Sequence, residues 1–98
     1  MTICYGKTYV YCIQAGKYYK IGITNDYLKR MAMMNSCNPG HVELIAVIEF
    51  STRYQARKYE SMLHEYYDNY RVKGEWFQLL NEDVEKSFGG YRCRLSIG

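Results

Sequence analysis

The feature that most constrains the fold is a pair of β-rich segments near the start of the chain, separated by one short turn. Residues 9–13 and 18–23 are rich in aromatic and β-branched side chains, and Ala15-Gly16 lies between them. Such residues favour strands, and a glycine-containing gap of this length is typical of a hairpin. The sequence therefore predicts an antiparallel β-hairpin.

The turn also predicts which residues share a face of this hairpin. With Ala15-Gly16 as a two-residue loop, Tyr11 lies directly opposite Lys20 and one face is mostly apolar. A three-residue loop with a glycine bulge shifts the register by one and separates Val10 from Ile21, so we favour the shorter loop. The second face then carries Tyr9, Tyr11, Ile13, Tyr18, Lys20 and Gly22.

Three further elements follow along the chain. Thr24-Asn25-Asp26 is a helix-start signal for residues 28–34, and residues 42–50 alternate as a strand with a buried centre. Thr52 and Gln55 form a capping-box pattern that opens a long helix over about residues 53–70.

The long helix has an apolar stripe, and Glu60 lies at its edge with His64 one turn further on. We assign the stripe tyrosines to the core. The stripe consists of Ala56, Tyr59, Leu63, Tyr66, Tyr67 and Tyr70.

The remaining segments are short. Residues 76–80 suggest a strand or packed segment, Asn81 is a candidate cap for a helix ending at Phe88, and Gly89-Gly90 terminates it. We expect the basic tail at residues 91–94 to be frayed, with contact to phosphates as the alternative. Together the elements predict one α+β domain over residues 1–98. Its sheet is small, mostly antiparallel and three-stranded, made of the N-terminal hairpin and a third strand, with helices flanking it.

Composition narrows the setting. Thirteen Lys and Arg against 10 Asp and Glu give a net charge of +3, which permits a polyanionic partner. The chain has no apolar run of about 18 residues and no apolar region typical of a secretory signal at its start. Its four cysteines form no CxxC pair. We expect reduced thiols and a cytoplasmic protein without membrane contact.

Three short motifs, in order, resemble the GIY-YIG nuclease domain in its small single-domain phage and bacterial branch. They are YKIG at residues 19–22, YE..LH at 59–64 and GEWF at 74–77, and the resemblance covers about residues 8–80. Two positions depart from the family pattern. Tyr9 stands where the first motif has its leading glycine, and Lys20 replaces the tyrosine of the second motif.

The resemblance implies a metal-dependent DNA endonuclease with little sequence specificity of its own. Glu60 would bind one Mg²⁺ or Mn²⁺, and Arg30 would donate to non-bridging phosphate oxygens. Tyr11 would position or deprotonate the attacking water. Deprotonation requires its pKa, ordinarily about 10, to be lowered by a neighbouring charge, which Lys20 is placed to supply.

Other residues are candidates in the same site. His64 is a candidate for proton transfer and Tyr9 for a further catalytic contact, while Glu75 is a candidate for metal or substrate contact. Lys29 and Tyr18 are candidates for substrate binding. The expected partner is double-stranded DNA, with specificity supplied by loops, a homodimer or another protein. The alternative is a weakly active or inactive module that binds DNA or a protein through the same face.

Overall fold

A computed structural model describes residues 7–26, 29–30, 32–33 and 42–89, together with the backbone of 92–97. Residues 29–30 and 32–33 are helical, which confirms that part of the helix predicted over 28–34. The other elements, in chain order, are strands β1 (Thr8–Ala15), β2 (Tyr18–Thr24) and β3 (Val42–Phe50), helix α1 (Arg53–Tyr66), a 3₁₀ turn (Asp68–Tyr70), strands β4 (Arg71–Lys73) and β5 (Trp76–Gln78), helix α2 (Asn81–Phe88) and strand β6 (Arg92–Ile97).

The strands form one antiparallel sheet in the order β4-β5-β2-β1-β3-β6. This confirms the α+β class, with the predicted hairpin and third strand at the centre of a larger sheet. The tail expected to be frayed is a strand instead, because β6 pairs along β3 from Val42 to Ala46. The backbone N–H and C=O groups of β6 are hydrogen-bonded to the edge of β3, a long-range pairing that local sequence patterns do not predict.

The hairpin register differs from the prediction by two residues. Ala15 pairs with Tyr18, so the turn is Gly16-Lys17, and Tyr11 lies opposite Gly22 instead of Lys20. Gly16 takes a φ of 64°, a left-handed conformation that glycine adopts without a steric cost. Because the shift is even, every side chain keeps its predicted face.

Helix α1 packs on the apolar face of the hairpin, and α2 packs against β3 on the same side of the sheet. The buried cluster between them consists of Val10, Cys12, Tyr19, Ile21, Ile45, Ala46, Ile48, Ala56, Leu63, Tyr67, Phe77, Leu79, Val84 and Phe88. On the opposite face a second cluster contains Tyr11, Ile13, Val42 and Leu44, with Trp76 packed against it. No helix in the described ranges is long and apolar enough to cross a membrane.

The observed start of helix α1 agrees with the sequence prediction, but its end does not. The hydroxyl of Thr52 accepts from the backbone N–H of Gln55 at 3.2 Å, as the capping pattern predicts. Helix α1 ends at Tyr66, four residues earlier than expected. Tyr67, the next residue, is buried, whereas Tyr66 and Tyr70 are 73% and 56% exposed, so the assignment of these two to the core is wrong.

Asn81 is the first residue of α2 and not its cap, because Leu80 occupies the cap position. The carboxylate of Asp83 accepts from the Leu80 backbone N–H at 3.0 Å. The predicted end of this helix holds, since Gly89 follows Phe88 with a φ of 41°.

Candidate active site

The candidate site lies at the end of β2, where the two faces of the sheet meet. Strand β5 pairs with Tyr18–Lys20, and the Ile21 N–H donates to the Glu75 carbonyl at 3.2 Å. Within the described ranges no strand continues this pairing along Gly22–Thr24. Side chains from both faces can therefore approach one another around this edge.

Tyr11 and Glu75 meet directly above Gly22. A Cβ atom built on Gly22 would lie 2.6 Å from the Tyr11 hydroxyl oxygen and 3.1 Å from Glu75 Oε1. Contacts below about 3.0 Å do not occur for real Cβ atoms. Glycine at this position is what allows the phenol to lie over the strand, which is a reason for the glycine of the YKIG motif that its spacing alone does not show.

Burial raises the pKa of Tyr11 to about 12, with Glu75 and Glu60 adding to the rise and Arg30 opposing it. The expectation that Lys20 lowers this pKa is wrong. Lys20 lies opposite Ile13, and its Nζ is 3.5 Å from Glu75 Oε1. Tyr11 is therefore a neutral phenol at physiological pH, able to donate a hydrogen bond.

This raised pKa predicts a stability change at alkaline pH. The ionised phenolate is favoured in the unfolded chain above pH 10, whereas folded Tyr11 stays neutral up to about pH 12. Stability supplied by the neutral phenol is therefore complete below pH 10 and is lost as pH rises through 12. Between pH 9 and 11 the wild type should lose about 1 kcal/mol more unfolding free energy than Tyr11→Phe. Urea titrations at both pH values measure this, and equal losses would contradict it.

Glu60 reaches the same region from α1, where its side chain is 12% exposed. Burial raises the pKa of Glu60, Glu75 raises it further, and His64, Arg57 and Arg53 oppose the rise. The carboxylate is thus held at the edge of the core close to a second carboxylate. This is an arrangement that a bound cation would stabilise.

His64 fastens α1 to β2. Its Nε2 lies 2.8 Å from the Ile21 carbonyl oxygen and 3.9 Å from Glu60 Oε2, and its ring makes an edge contact with Phe77. A carbonyl only accepts, so Nε2 carries a proton and donates it to this bond. The geometry makes His64 a residue that positions the Gly22 end of β2 beside Glu60.

Removal of this bond should weaken the fold. His64→Ala leaves a partly buried carbonyl without its donor, and we expect a loss of about 1–3 kcal/mol in unfolding free energy. His64→Gln keeps an N–H donor and is the control. Urea unfolding measures both variants, and an Ala variant within about 0.5 kcal/mol of wild type would argue against the positioning role.

Arg30 belongs to a basic cleft beside the same edge. Asp26 caps the helical segment by accepting from the Lys29 N–H at 3.0 Å, as the helix-start signal predicts. The cleft has a volume of about 410 Å³. It is lined by Ile23, Thr24, Asn25, Asp26, Lys29, Arg30, Met33 and Arg53. Three cations against one carboxylate make it complementary to phosphate.

The structure therefore brings five of the candidate residues into one electrostatic neighbourhood. They are Tyr11, Arg30, Glu60, His64 and Glu75. Lys29 lies in the adjoining cleft, and Tyr9 lies two residues before Tyr11 on the same face. Lys20 and Tyr18 continue that face towards Trp76, with Lys20 Nζ 5.8 Å from the centre of the indole.

The sequence interpretation missed Arg53 and the role of Gly22. Arg53 donates to Asn25 Oδ1 at 3.2 Å and so closes one side of the basic cleft. Its position as the first residue of α1 carries no signal that it faces a segment nearly thirty residues earlier. The glycine was visible as part of a motif, but its steric reason depends on the strand register.

The donor set fits a hard divalent cation. Glu60, Glu75 and the Tyr11 hydroxyl supply oxygen atoms, and Mg²⁺ commonly binds one or two carboxylates while retaining water and substrate phosphate oxygens. Among the described residues no three His, Cys, Asp or Glu side chains are grouped so that they alone could hold a metal ion. The arrangement therefore suits an ion shared with a phosphate better than a structural metal.

The fold and site define a small α+β domain in which carboxylate, phenol and guanidinium groups meet at one sheet edge. A model of the T5orf172 domain matches residues 6–92, so the chain belongs to the T5orf172 domain family. This phage-associated family is related to the GIY-YIG and HNH-like nuclease families. No curated protein and no solved structure matches the chain.

Proposed function

We propose that the protein is a metal-dependent endonuclease of the GIY-YIG type that hydrolyses phosphodiester bonds in DNA. The observation that carries the proposal is the convergence of the Tyr11 phenol, the Glu60 carboxylate and the Arg30 guanidinium at the open end of β2. A nucleic-acid substrate supplies the phosphate that the basic cleft suits. We further propose that the enzyme acts in the cytoplasm on double-stranded DNA.

Each side chain has a task that its surroundings support. Arg30 binds non-bridging phosphate oxygens, which is where negative charge accumulates during phosphoryl displacement. Tyr11, neutral with a pKa of about 12, keeps its proton and donates a hydrogen bond to a phosphate oxygen. The phenol oxygen can accept a hydrogen bond from the attacking water and so orient it. Lys20 forms an ion pair with the Glu75 carboxylate, and His64 anchors β2 through its hydrogen bond to the Ile21 carbonyl.

Glu60, assisted by Glu75, would hold Mg²⁺ or Mn²⁺. When bound, such an ion supplies Lewis-acid stabilisation of phosphate charge and lowers the pKa of bound water. The high pKa of Tyr11 is consistent with this division of tasks, because the phenol is a poor base at neutral pH.

The same high pKa supports one alternative, a DNA-binding module with little or no turnover. Such a module needs the basic cleft and the aromatic face but no activated base. In either function, sequence specificity for DNA would come from a homodimer or from another protein.

Incubation of the purified protein with supercoiled plasmid separates the two functions. The endonuclease should nick the plasmid with Mg²⁺ or Mn²⁺ and stop when EDTA removes the metal. The binding module should retard the plasmid on a gel and leave it supercoiled with either metal. The second result would refute the proposed endonuclease.

A further inference from the structure

A second feature lies on the same face of the sheet, one residue beyond Glu75. Trp76 is flanked in register by Lys20 on β2 and by Lys73 on β4. The Lys20 ammonium lies 5.8 Å from the indole centre. A single aromatic ring thus lies between two lysines on neighbouring strands.

An open pocket adjoins this ring. It has a volume of about 230 Å³ and is lined by Ala15, Tyr18, Val72, Lys73 and Trp76. Val72 is 56% exposed, and Lys17 Nζ lies 5.5 Å from the centre of the Tyr18 ring. One side of Trp76 packs on the cluster around Ile13, and the pocket gives access to another part of the ring.

The charges around the pocket favour an anionic partner. Lys73 lines it, and Lys17 and Lys20 lie beside the rings of Tyr18 and Trp76, while Glu75 pairs with Lys20 at 3.5 Å. An aromatic platform bordered by lysines is the combination that single-stranded nucleic acids bind, with bases stacked on rings and phosphates near cations. An apolar side chain of a protein partner would use the rings but would gain little from the charges of Lys17 and Lys73.

We propose that this pocket binds an unpaired nucleobase of the substrate strand, stacked on Trp76, with the lysines contacting the flanking phosphates. The inference rests on the proposed nuclease function, because Trp76, which lines the pocket, directly follows Glu75, whose carboxylate lies beside the Tyr11 hydroxyl above Gly22. The bound base therefore belongs to a nucleotide near the cleaved phosphate. Double-stranded DNA is then a substrate where one base at that position is unpaired or extruded, and an undistorted duplex does not fill the pocket.

The chain provides its own reporter, because Trp76 is its single tryptophan. Wild-type protein in EDTA is titrated with a 12-residue oligothymidylate, with an abasic oligomer of the same length, and with the oligothymidylate paired in a duplex. We expect saturable quenching of tryptophan emission by the single strand. The abasic oligomer should bind about tenfold more weakly or worse, and the duplex should give little quenching.

Substitutions test the same contact from the protein side. Trp76→Ala should weaken binding of a dye-labelled oligothymidylate about tenfold by anisotropy, and Trp76→Phe should retain most of the affinity. Tyr66→Ala, which removes an exposed ring outside the pocket, is the matched control. The abasic comparison uses only wild-type protein, so it stands even where the Trp76→Ala variant fails to fold.

Equal affinity for abasic and base-containing strands, equal quenching by the duplex, or an absence of binding would overturn the base pocket. Plasmid cleavage is scored separately. Base-dependent quenching without cleavage would retain the pocket and refute the endonuclease. Cleavage with base-independent binding would retain the endonuclease and refute the pocket.

Discussion

Glu60→Gln should abolish cleavage while leaving the protein folded and, at neutral pH, more stable. The amide is nearly isosteric but does not bind a hard cation as a carboxylate does, so we expect the nicking rate to fall by about 10³-fold or more. The pKa of Glu60 is raised by burial and by Glu75, which means that the ionised side chain is held at a cost in the folded state. A neutral replacement removes that cost.

The pH dependence of the stability gain shows whether it comes from removing the Glu60 charge or from a general stabilisation of the helix. A folded-state pKa above the ordinary value of 4.5 destabilises the fold only where Glu60 is ionised. The stability gain of Glu60→Gln should therefore be present at pH 7 and disappear as pH falls below about 4.5. Urea unfolding across this range measures the gain, and plasmid nicking measures the activity.

Glu65→Gln is the matched control, since Glu65 is an exposed residue of the same helix. This variant should nick plasmid at the wild-type rate, and its unfolding free energy should depend on pH as that of the wild type does. If Glu60→Gln cleaves within about threefold of wild type, Glu60 is not the metal ligand and the proposed mechanism fails.

Gly22→Ala should displace Tyr11 and damage both the fold and the activity. The added methyl would lie 2.6 Å from the phenol oxygen and 2.8 Å from Cζ of the ring. The ring is 2% exposed and has little room to move. Overpacking of this kind costs about 1–3 kcal/mol, and a displacement of about 1 Å can reduce a catalytic rate by about 10².

A double-mutant cycle assigns the effect to this one contact. In a Tyr11→Ala background the obstructing ring is gone, so Gly22→Ala should lower the unfolding free energy by at least about 1 kcal/mol less than in the wild type. Urea unfolding of the four proteins gives the coupling, and nicking assays on Gly22→Ala and wild type give the rate. Additive effects would show that the methyl clashes elsewhere.

Local patterns predicted most of the fold because their physical causes are local. The glycine between two β-rich segments, the Thr52 cap and the Gly89 end each act over a few residues, and the elements form where these signals place them. The two-residue register error left the faces of the hairpin intact, since alternation depends only on parity. Strands β4 and β6 were not predicted, because they form by pairing with β5 and β3 and their own residues carry little strand signal.

The sequence offered the candidate residues but not their surroundings. Tyr11, Arg30 and Glu60 are candidates from the motif resemblance, and the charges of Arg30 and Glu60 both act on the pKa of Tyr11. The supposed partnership of Lys20 with Tyr11 depended on exact register and was wrong. A pKa likewise depends on burial and on charges from distant parts of the chain, which no spacing rule supplies.

By itself, then, the sequence determined the class of fold, the two faces of the hairpin and the kinds of groups available to the site. The periods of strands and helices and the conformations of glycine and capping residues carry that information. Tertiary structure alone decided that β5 stops short of Gly22, where the Tyr11 phenol and the Glu75 carboxylate meet and the charge of Glu60 acts on the phenol. It also decided that Lys20 turns towards Glu75 and Trp76, because side-chain partners follow from strand register and packing across the sheet.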